Sequence, residues 1–251
     1  MLWTLIVETS GRGGSENMSI DHSLLRSARE GVGFLRLYGW SPPCLSFGRN
    51  EPALRRYDTG EIERLGLHTV RRPTGGRAVW HDAEVTYAVA APTMAFGSLR
   101  ETYNIIHGTL ATALRSLGIP AELAGRPDSR AVGLGGGACF ASPIGGEVVV
   151  AGRKLVGSAQ VRDGAAFMQH GSILLEDGQD VVAQVTKGER VDPLATSISS
   201  LLDRPVTHAE VARAIAEEAK RAWSGVWVMG EAPSTDFSAE RFADPAWTWR
   251  R

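Results

Sequence analysis

Cysteine is scarce in this chain: Cys44 and Cys139 are the only two in 251 residues. One conceivable disulfide in a chain of this size is no framework, so both read as free thiols of a reducing compartment, the cytoplasm. Long apolar runs are missing as well. No stretch reaches the 18 or so apolar residues that a membrane-spanning helix needs. The apolar start, residues 1–10, lacks a basic leader and a small-residue cleavage site, and reads as a first strand rather than a signal peptide. Neither sign of charge is in excess: 27 Lys and Arg face 28 Asp and Glu, a formal net charge of -1. That excludes the global basic field of a nucleic-acid binder. Repeats, low-complexity tracts and linkers are absent too. What remains is 43% hydrophobic and 22% charged, an ordinary globular profile, long enough to bury a substantial core.

Residues 2–8 read as a strand. Ser15 to Glu30 suits a helix, with Ser15 as N-cap and Met18, Leu24 and Leu25 toward the core. Phe34–Tyr38 and Leu45–Phe47 are short strands around the Ser41-Pro42-Pro43 turn. Residues 85–91 alternate with period two, a strand signal. A helix is expected from about Thr102 to Leu117, closed by Gly118 and Pro120. Glu147–Val150 and Lys154–Val161 flank Ala151-Gly152-Arg153 as a hairpin, and Met168–Leu175 is another strand. Thr207 and Glu210 form a capping box that opens a helix through Trp223. The stretch from Gly230 onward carries no clear assignment. No βαβαβ rhythm runs through these elements, and the glycine-rich segments fit neither a P-loop nor a dinucleotide fingerprint. The expectation is an α+β fold on a mixed, largely antiparallel sheet flanked by helices.

Three segments carry chemistry. In Arg71-Arg72-Pro73-Thr74-Gly75-Gly76-Arg77-Ala78-Val79-Trp80-His81-Asp82, the paired glycines let backbone N–H groups approach a ligand. The arginines offer charge to a phosphate or a carbonyl. A surface turn with solvated arginines reads the same residues equally well. In Gly152–Gln160, residues 154, 156, 158 and 160 of a strand share one face, which would align Lys154 with Ser158 and Gln160. Gly157, Ser158 and Ala159 are small enough to admit something against the strand, and a bulge is the plainer alternative. In Gln169–Leu175, His170 is a base, a ligand or a hydrogen-bonded core histidine, the last being the commoner role. No second histidine sits at metal-ligand spacing, so no metal and no cofactor are expected. Cys139 follows the glycine run 135–137. A buried cysteine is usually a small hydrophobe, but a thiol near an ammonium group would hold more thiolate. Cys44, among Pro43, Leu45 and Phe47, reads as packing.

Taken together and in order, these segments resemble the biotin/lipoate ligase and transferase superfamily. RRPTGGRAVWHDAEVTYAV is similar to that family's RRxTGG…HD…LTYSV signature, and GRKLVGSAQVR and MQHGSILL to its second and third. Residues 16–21 resemble the family's first helix, residues 35–48 its next strand pair, and FADPAWTWRR its C-terminus. Within the superfamily the likeness is to LipM-type octanoyltransferases, carried by Ala138-Cys139-Phe140-Ala141-Ser142-Pro143, Glu147 and Gly152-Arg153-Lys154. An aromatic residue that the family usually has shortly before that glutamate is replaced here by Ile144-Gly145-Gly146.

The resemblance implies a single catalytic domain over residues 1–251. It would move an octanoyl group from acyl carrier protein to a lysine of a lipoyl carrier, such as the glycine cleavage H protein. Cys139 would be the nucleophile and Lys154 its cationic partner. Arg72, Gly75, Gly76, Arg77, His81, Gly157, Ser158, Ala159 and His170 would bind substrate. Gly76, Ala78, Gly157 and Ala159 would line the acyl slot. A thioester is already activated, so no ATP would be needed, and a monomer is expected. Arg49, Arg55, Arg56 and Arg162 are candidates to meet acidic carriers. The main rival on the same fold is an ATP-dependent lipoate–protein ligase, in which Lys154 meets carboxylate and α-phosphate and Cys139 is incidental. A non-catalytic binding protein is the rival from another class.

Overall fold

The alternating residues 85–91 become the axis of the main sheet. The computed structural model describes residues 1–28, 31–125, 146–188, 194–234 and 238–250. Its elements run β1 (Leu2–Val7), α1 (Gly14–Ser27), β2 (Val32–Tyr38), β3 (Cys44–Phe47), α2 (Ala53–Arg56), α3 (Thr59–Arg64), β4 (His68–Arg71), β5 (Val79–His81), β6 (Glu84–Pro92) and α4 (Leu99–Ser116). They continue with β7 (Glu122–Leu123), β8 (Val148–Val150), β9 (Arg153–Lys154), β10 (Val156–Asp163), β11 (Ala166–Leu174), α5 (Asp180–Gln184), α6 (His208–Ala222), β12 (Val226–Met229), α7 (Ser238–Ala243) and α8 (Pro245–Thr248).

Six strands pair in the order β10-β11-β6-β2-β1-β12, and two three-stranded sheets have the orders β4-β3-β5 and β7-β8-β9. Of the strand–strand pairings among the described residues, β1–β12, β1–β2 and β3–β4 are parallel. The others described are antiparallel, so the mixed, largely antiparallel α+β architecture read from the sequence is what the chain adopts.

The pleat of β6 divides its side chains between two cores. Val85, Tyr87, Val89 and Ala91 face Ile106, Leu110 and Leu114 of α4 and Val211 and Ile215 of α6. Ala90 faces Ile20, Leu24 and Leu25 of α1 on the other side. Each Val, Leu or Ile of these sets removed from water contributes about 1.5–3 kcal/mol. Trp3, Phe96, Trp223 and Trp227 stack at one end of the first core.

Several boundaries differ from the sequence expectations. The N-cap of α1 is Gly13, in extended backbone and without a side-chain cap, so Ser15 lies inside the helix. Helix α4 begins three residues earlier than expected because Ser98 and Glu101 form a reciprocal capping box. The Thr207–Glu210 box opens α6 as expected. The hairpin turn is Ala151-Gly152 alone, with φ of 49° and 75°, a pair of left-handed residues that suits a two-residue connection.

The expected strand 154–161 is two strands. Lys154 pairs in the β7-β8-β9 sheet and exchanges backbone hydrogen bonds with Leu194 and Thr196. Buried Leu155 then bonds to Val148 on one side and Leu174 on the other, and β10 starts afresh in the main sheet. The unassigned C-terminal stretch forms β12, α7 and α8.

Candidate active-site cleft

Strand registry builds the cleft floor. Gly157 pairs with Ser172, Ser172 with Thr86 and Thr86 with Tyr38; Ala159 pairs with His170 and His170 with Ala88. Directly paired residues of a sheet share a face, so these form two adjacent rows. At the β10 end the side chains shrink to Gly157 and Ala159, and the space above them stays open. Met18, Tyr38, Trp40 and Val79 supply apolar walls, and Arg72, His81 and His170 the polar points, of a cleft of about 320 Å³ including its open mouth.

Both cleft histidines are locked by a carboxylate on one side and a hydroxyl on the other. His170 Nδ1 lies 3.0 Å from Asp21 Oδ2, and the Thr74 hydroxyl donates to His170 Nε2 at 2.6 Å. His81 Nδ1 lies 2.8 Å from Glu84 Oε1, and the Ser46 hydroxyl donates to His81 Nε2 at 2.5 Å. An ionised carboxylate only accepts, which places the ring N–H on Nδ1 in each case. Trp40 stacks on His81 at 3.9 Å between centroids. Burial pushes the His81 pKa down, against the pull of Glu84, so this ring is neutral at pH 7. Burial also works against the ionised form of Asp21, but the His170 hydrogen bond and the Arg36 charge outweigh it and hold the carboxyl below its usual range. Arg36 and Tyr38 complete its shell at 2.9 and 2.8 Å. Ser46 and Thr74 are wholly buried, so neither hydroxyl is placed as a nucleophile; they orient the rings.

The Gly75-Gly76 loop is seated by its neighbours. A Cβ added to Gly48 would lie 1.9 Å from the Gly76 carbonyl oxygen, a close approach that only glycine permits. Gly76 itself has φ of 89°. Arg72 donates to the carbonyls of Ser46, Gly75 and Arg77 at 2.9, 3.2 and 2.8 Å. Its neighbour Arg71 is fully buried and donates to carbonyls of Gly48, Glu51, Thr248 and Arg250 at 2.7–3.1 Å. Arg71 therefore ties the chain end to the cleft loop, a role its place in the sequence pattern did not reveal.

The remaining expected site residues divide. Arg72, His81, Gly157, Ser158, Ala159 and His170 meet at the cleft. Gly76 approaches it, since its added Cβ would be 3.9 Å from Ala159 Cβ. Ala78 does not line the slot; just before β5, it packs in the cluster of Leu45, Phe47 and Tyr57 beneath the small sheet. Arg77 is half-buried beside the loop, and its Nη1 has no hydrogen-bond partner among the described residues.

Ser158 offers the cleft its backbone. Its side chain points through the sheet to Tyr87 at 2.6 Å and His107 Nε2 at 2.8 Å. Lys154 lies outside the cleft lining, buried, with Nζ 2.6 Å from Glu147 Oε1. Its charge, after burial, helps depress His107 to a pKa of about 4. Cys139 lies outside the described residues. Cys44 is buried and, by desolvation first, its thiol is pushed up to about 12, in keeping with packing.

Asp21, Glu84, Trp40 and His107 were not singled out as site residues. Asp21 and Trp40 lie in segments that carry the family resemblance, and an acid three residues from both Met18 and Leu24, on the core side of the helix, is the signal that marks the first. The mixed sheet, the paired glycines beside an arginine and the bare floor define an α+β domain with a ligand-sized cleft at the sheet face among the described residues. Consistent with this, the model for the lipoyl protein ligase A/B catalytic domain matches residues 14–220, and the chain belongs to that family.

Among relatives, octanoyltransferase LipM of Kyrpidia tusciae is 40% identical over 236 residues, 86% of this chain and 85% of that one. Octanoyltransferase LipM of Halalkalibacterium halodurans is 32% identical and covers 98% of each chain. Among solved structures, a putative lipoate protein ligase from T. acidophilum with bound lipoic acid superposes with TM-score 0.80 at 18% identity, over 99% of this chain and 100% of that one. Lipoate-protein ligase A bound with ATP gives 0.77 at 17%, over 99% of each. At such identities the structures establish the fold alone.

Proposed function

We infer that the chain is an octanoyltransferase of lipoate biosynthesis, and that it works through an acyl-enzyme on Cys139. The observation that carries the reading is the apolar cleft floored by Gly157 and Ala159, in a chain 40% identical to a LipM octanoyltransferase. Seven carbons beyond the carbonyl, at roughly 0.8 kcal/mol per methylene, would supply about 5 kcal/mol of binding in such a slot.

The Cys139 thiolate attacks the donor thioester carbonyl, a C–S bond to the enzyme forms, and the carrier thiolate leaves. Lys154 is the cationic partner of the thiolate and of the developing oxyanion. The neutral amine of an acceptor lysine then attacks the acyl-enzyme carbonyl, the C–N bond forms, the proton passes to water, and the C–S bond breaks to release Cys139 as thiolate. The donor is octanoyl-acyl carrier protein, and the acceptor is the glycine cleavage H protein or another lipoyl domain. The enzyme is cytoplasmic, monomeric, and one catalytic domain over residues 1–251. No helix among the described residues is long and apolar enough to cross a membrane.

The rival is ATP-dependent ligation on the same fold. Incubation with octanoyl-acyl carrier protein, without ATP, followed by intact-mass and peptide mass spectrometry separates the two. The transferase shows an octanoyl adduct on Cys139, and Cys139→Ala abolishes both adduct and transfer. Full activity of Cys139→Ala with octanoate and ATP would establish the ligase instead.

A further inference from the structure

Beside the cleft mouth, three cationic side chains gather where the C-terminal helices meet the loop after β3. Arg241 of α7 and Arg250 both lie over the indole of Trp247, their guanidinium carbons 3.6 and 3.9 Å from its centroid. Arg250 also donates to the backbone carbonyl of Arg49, the exposed residue after Gly48. Buried Arg71 donates to the carbonyls of Arg250 and Arg49 at 3.1 and 3.3 Å from behind.

None of Arg49, Arg241 and Arg250 forms an ion pair with a carboxylate among the described residues. The acids near them in sequence do not neutralise the group: Glu240, beside Arg241, forms no ion pair among the described residues, Asp244 caps the Ala246 N–H, and Glu51 takes the Tyr57 hydroxyl at 2.6 Å. Partial burial pushes the Arg241 guanidinium down, and the charges of Arg49 and Arg250 push it further. The chain as a whole carries a formal charge of -1, so the cluster is a local feature. Like charges assembled without counter-ions leave a repulsion that a partner's carboxylates relieve.

The patch adjoins the cleft through backbone contacts. Arg49 N–H donates to the Thr74 carbonyl at 2.7 Å, and the Thr74 hydroxyl holds His170. We propose that Arg49, Arg241 and Arg250 form the docking surface for an acidic protein, the carrier that delivers the acyl thioester to the cleft. This rests on the acyl-transfer reading above. Of the basic residues considered from sequence, Arg49 alone belongs to the cluster; Arg241 and Arg250 join it through Trp247.

The test uses the full chain and the variants Arg49→Glu, Arg241→Gln and the double variant, each checked for an unchanged unfolding midpoint. The Arg49 side chain makes no hydrogen bond among the described residues, so its variant stays folded even if loss of the Arg241 stack does not. Transfer is measured from octanoyl-carrier protein and from octanoyl-pantetheine, which lacks protein and phosphate. Binding of the apo carrier, without its arm, is titrated separately.

We expect the double variant, and Arg49→Glu to a lesser degree, to raise KM for the protein donor about tenfold with kcat little changed. Apo-carrier binding should weaken by a similar factor, while octanoyl-pantetheine kinetics stay as in the wild type. An unchanged KM for the protein donor overturns the proposal. So does an equal loss with octanoyl-pantetheine, a change confined to the acceptor's KM, or a loss seen only with the phosphate-bearing carrier, which would mark a phosphate site. If the wild type transfers from neither donor, the acyl-transfer reading falls, and the apo-carrier titration still decides whether this surface docks an acidic carrier.

Discussion

His107 makes the stability of this protein depend on pH in a way that can be isolated. The ring sits wholly buried on α4, with Nδ1 2.7 Å from the Gly146 carbonyl and Nε2 2.8 Å from the Ser158 hydroxyl. Nδ1–H must donate to the carbonyl, so Nε2 accepts from Ser158. Burial, and the nearby Lys154 charge, lower its pKa from 6.5 to about 4, against the stabilising carbonyl. The unfolded chain takes up a proton as pH falls through about 6.5, whereas the folded chain resists until about 4. The unfolded state therefore binds more protons across that window, and stability rises with pH there.

At 1.36 kcal/mol per pKa unit, the fall from 6.5 to about 4 amounts to about 3 kcal/mol lost between pH 7 and pH 4. That is a large share of the roughly 5–15 kcal/mol that holds a domain together. The assay is urea denaturation at pH 7, 6, 5 and 4 on wild type and His107→Gln. His81 adds a loss of the same sign, so the reading is the difference between the two curves. His107→Gln should start less stable, through weakened bonds to Gly146 and Ser158, and should then fall by about 3 kcal/mol less on acidification. Parallel curves would refute the argument.

Three further outcomes follow from the packing. Gly48→Ala forces the Gly76 backbone to move by more than about 1 Å, an overpacking cost of roughly 1–3 kcal/mol in chemical denaturation, with transfer activity falling on the order of a hundredfold; wild-type values for both would mean the loop is not seated on Gly48. Ala159→Leu fills the cleft floor, so the rate with octanoyl donors should drop at least tenfold while a much shorter acyl donor is spared; equal loss with both would move the acyl slot elsewhere. Gly108→Ala, in the interior of α4 with nothing within 4 Å of the added Cβ, should stabilise by about 0.5–1 kcal/mol; destabilisation in thermal melts would mean that contact is misjudged.

Elements with strong local signals were legible in the sequence. The period-two residues of β6 and the capping box of α6 needed no tertiary information, because alternation and reciprocal capping are properties of short windows. Ser98 was missed as the start of α4 although Glu101 follows it at box spacing, since the apolar face begins only at Thr102 and Ile106. The break at Leu155 was not legible: Lys154 and Val156 belong to different sheets because residues 194–196 claim the Lys154 backbone, a contact forty residues away in sequence.

The cleft shows the same division. The small residues Gly157 and Ala159 signalled an open floor, but the side on which Ser158 projects depended on where the strand restarted. Asp21, from α1, meets His170 from a site 149 residues away in sequence, whereas Glu84 lies only three residues after His81, across the turn from β5 into β6.

The adjacent arginines 71 and 72 show why a signature motif can hold two functions in two positions. Arg72 reaches the cleft face and closes on the carbonyls of Ser46, Gly75 and Arg77, shaping the glycine loop from within. Arg71 projects to the opposite side, as neighbours at a strand end do, and forks among carbonyls of residues 48–51 and 248–250. A guanidinium presents five fixed donors, which a lysine cannot reproduce at so many acceptors. The same group that holds Gly48 under the loop therefore also holds Arg250 beside it, and the Arg71 backbone carbonyl accepts from the Trp247 indole N–H. The cleft loop and the basic patch thus share Arg71 as a buried tie, so a shift of one is transmitted to the other.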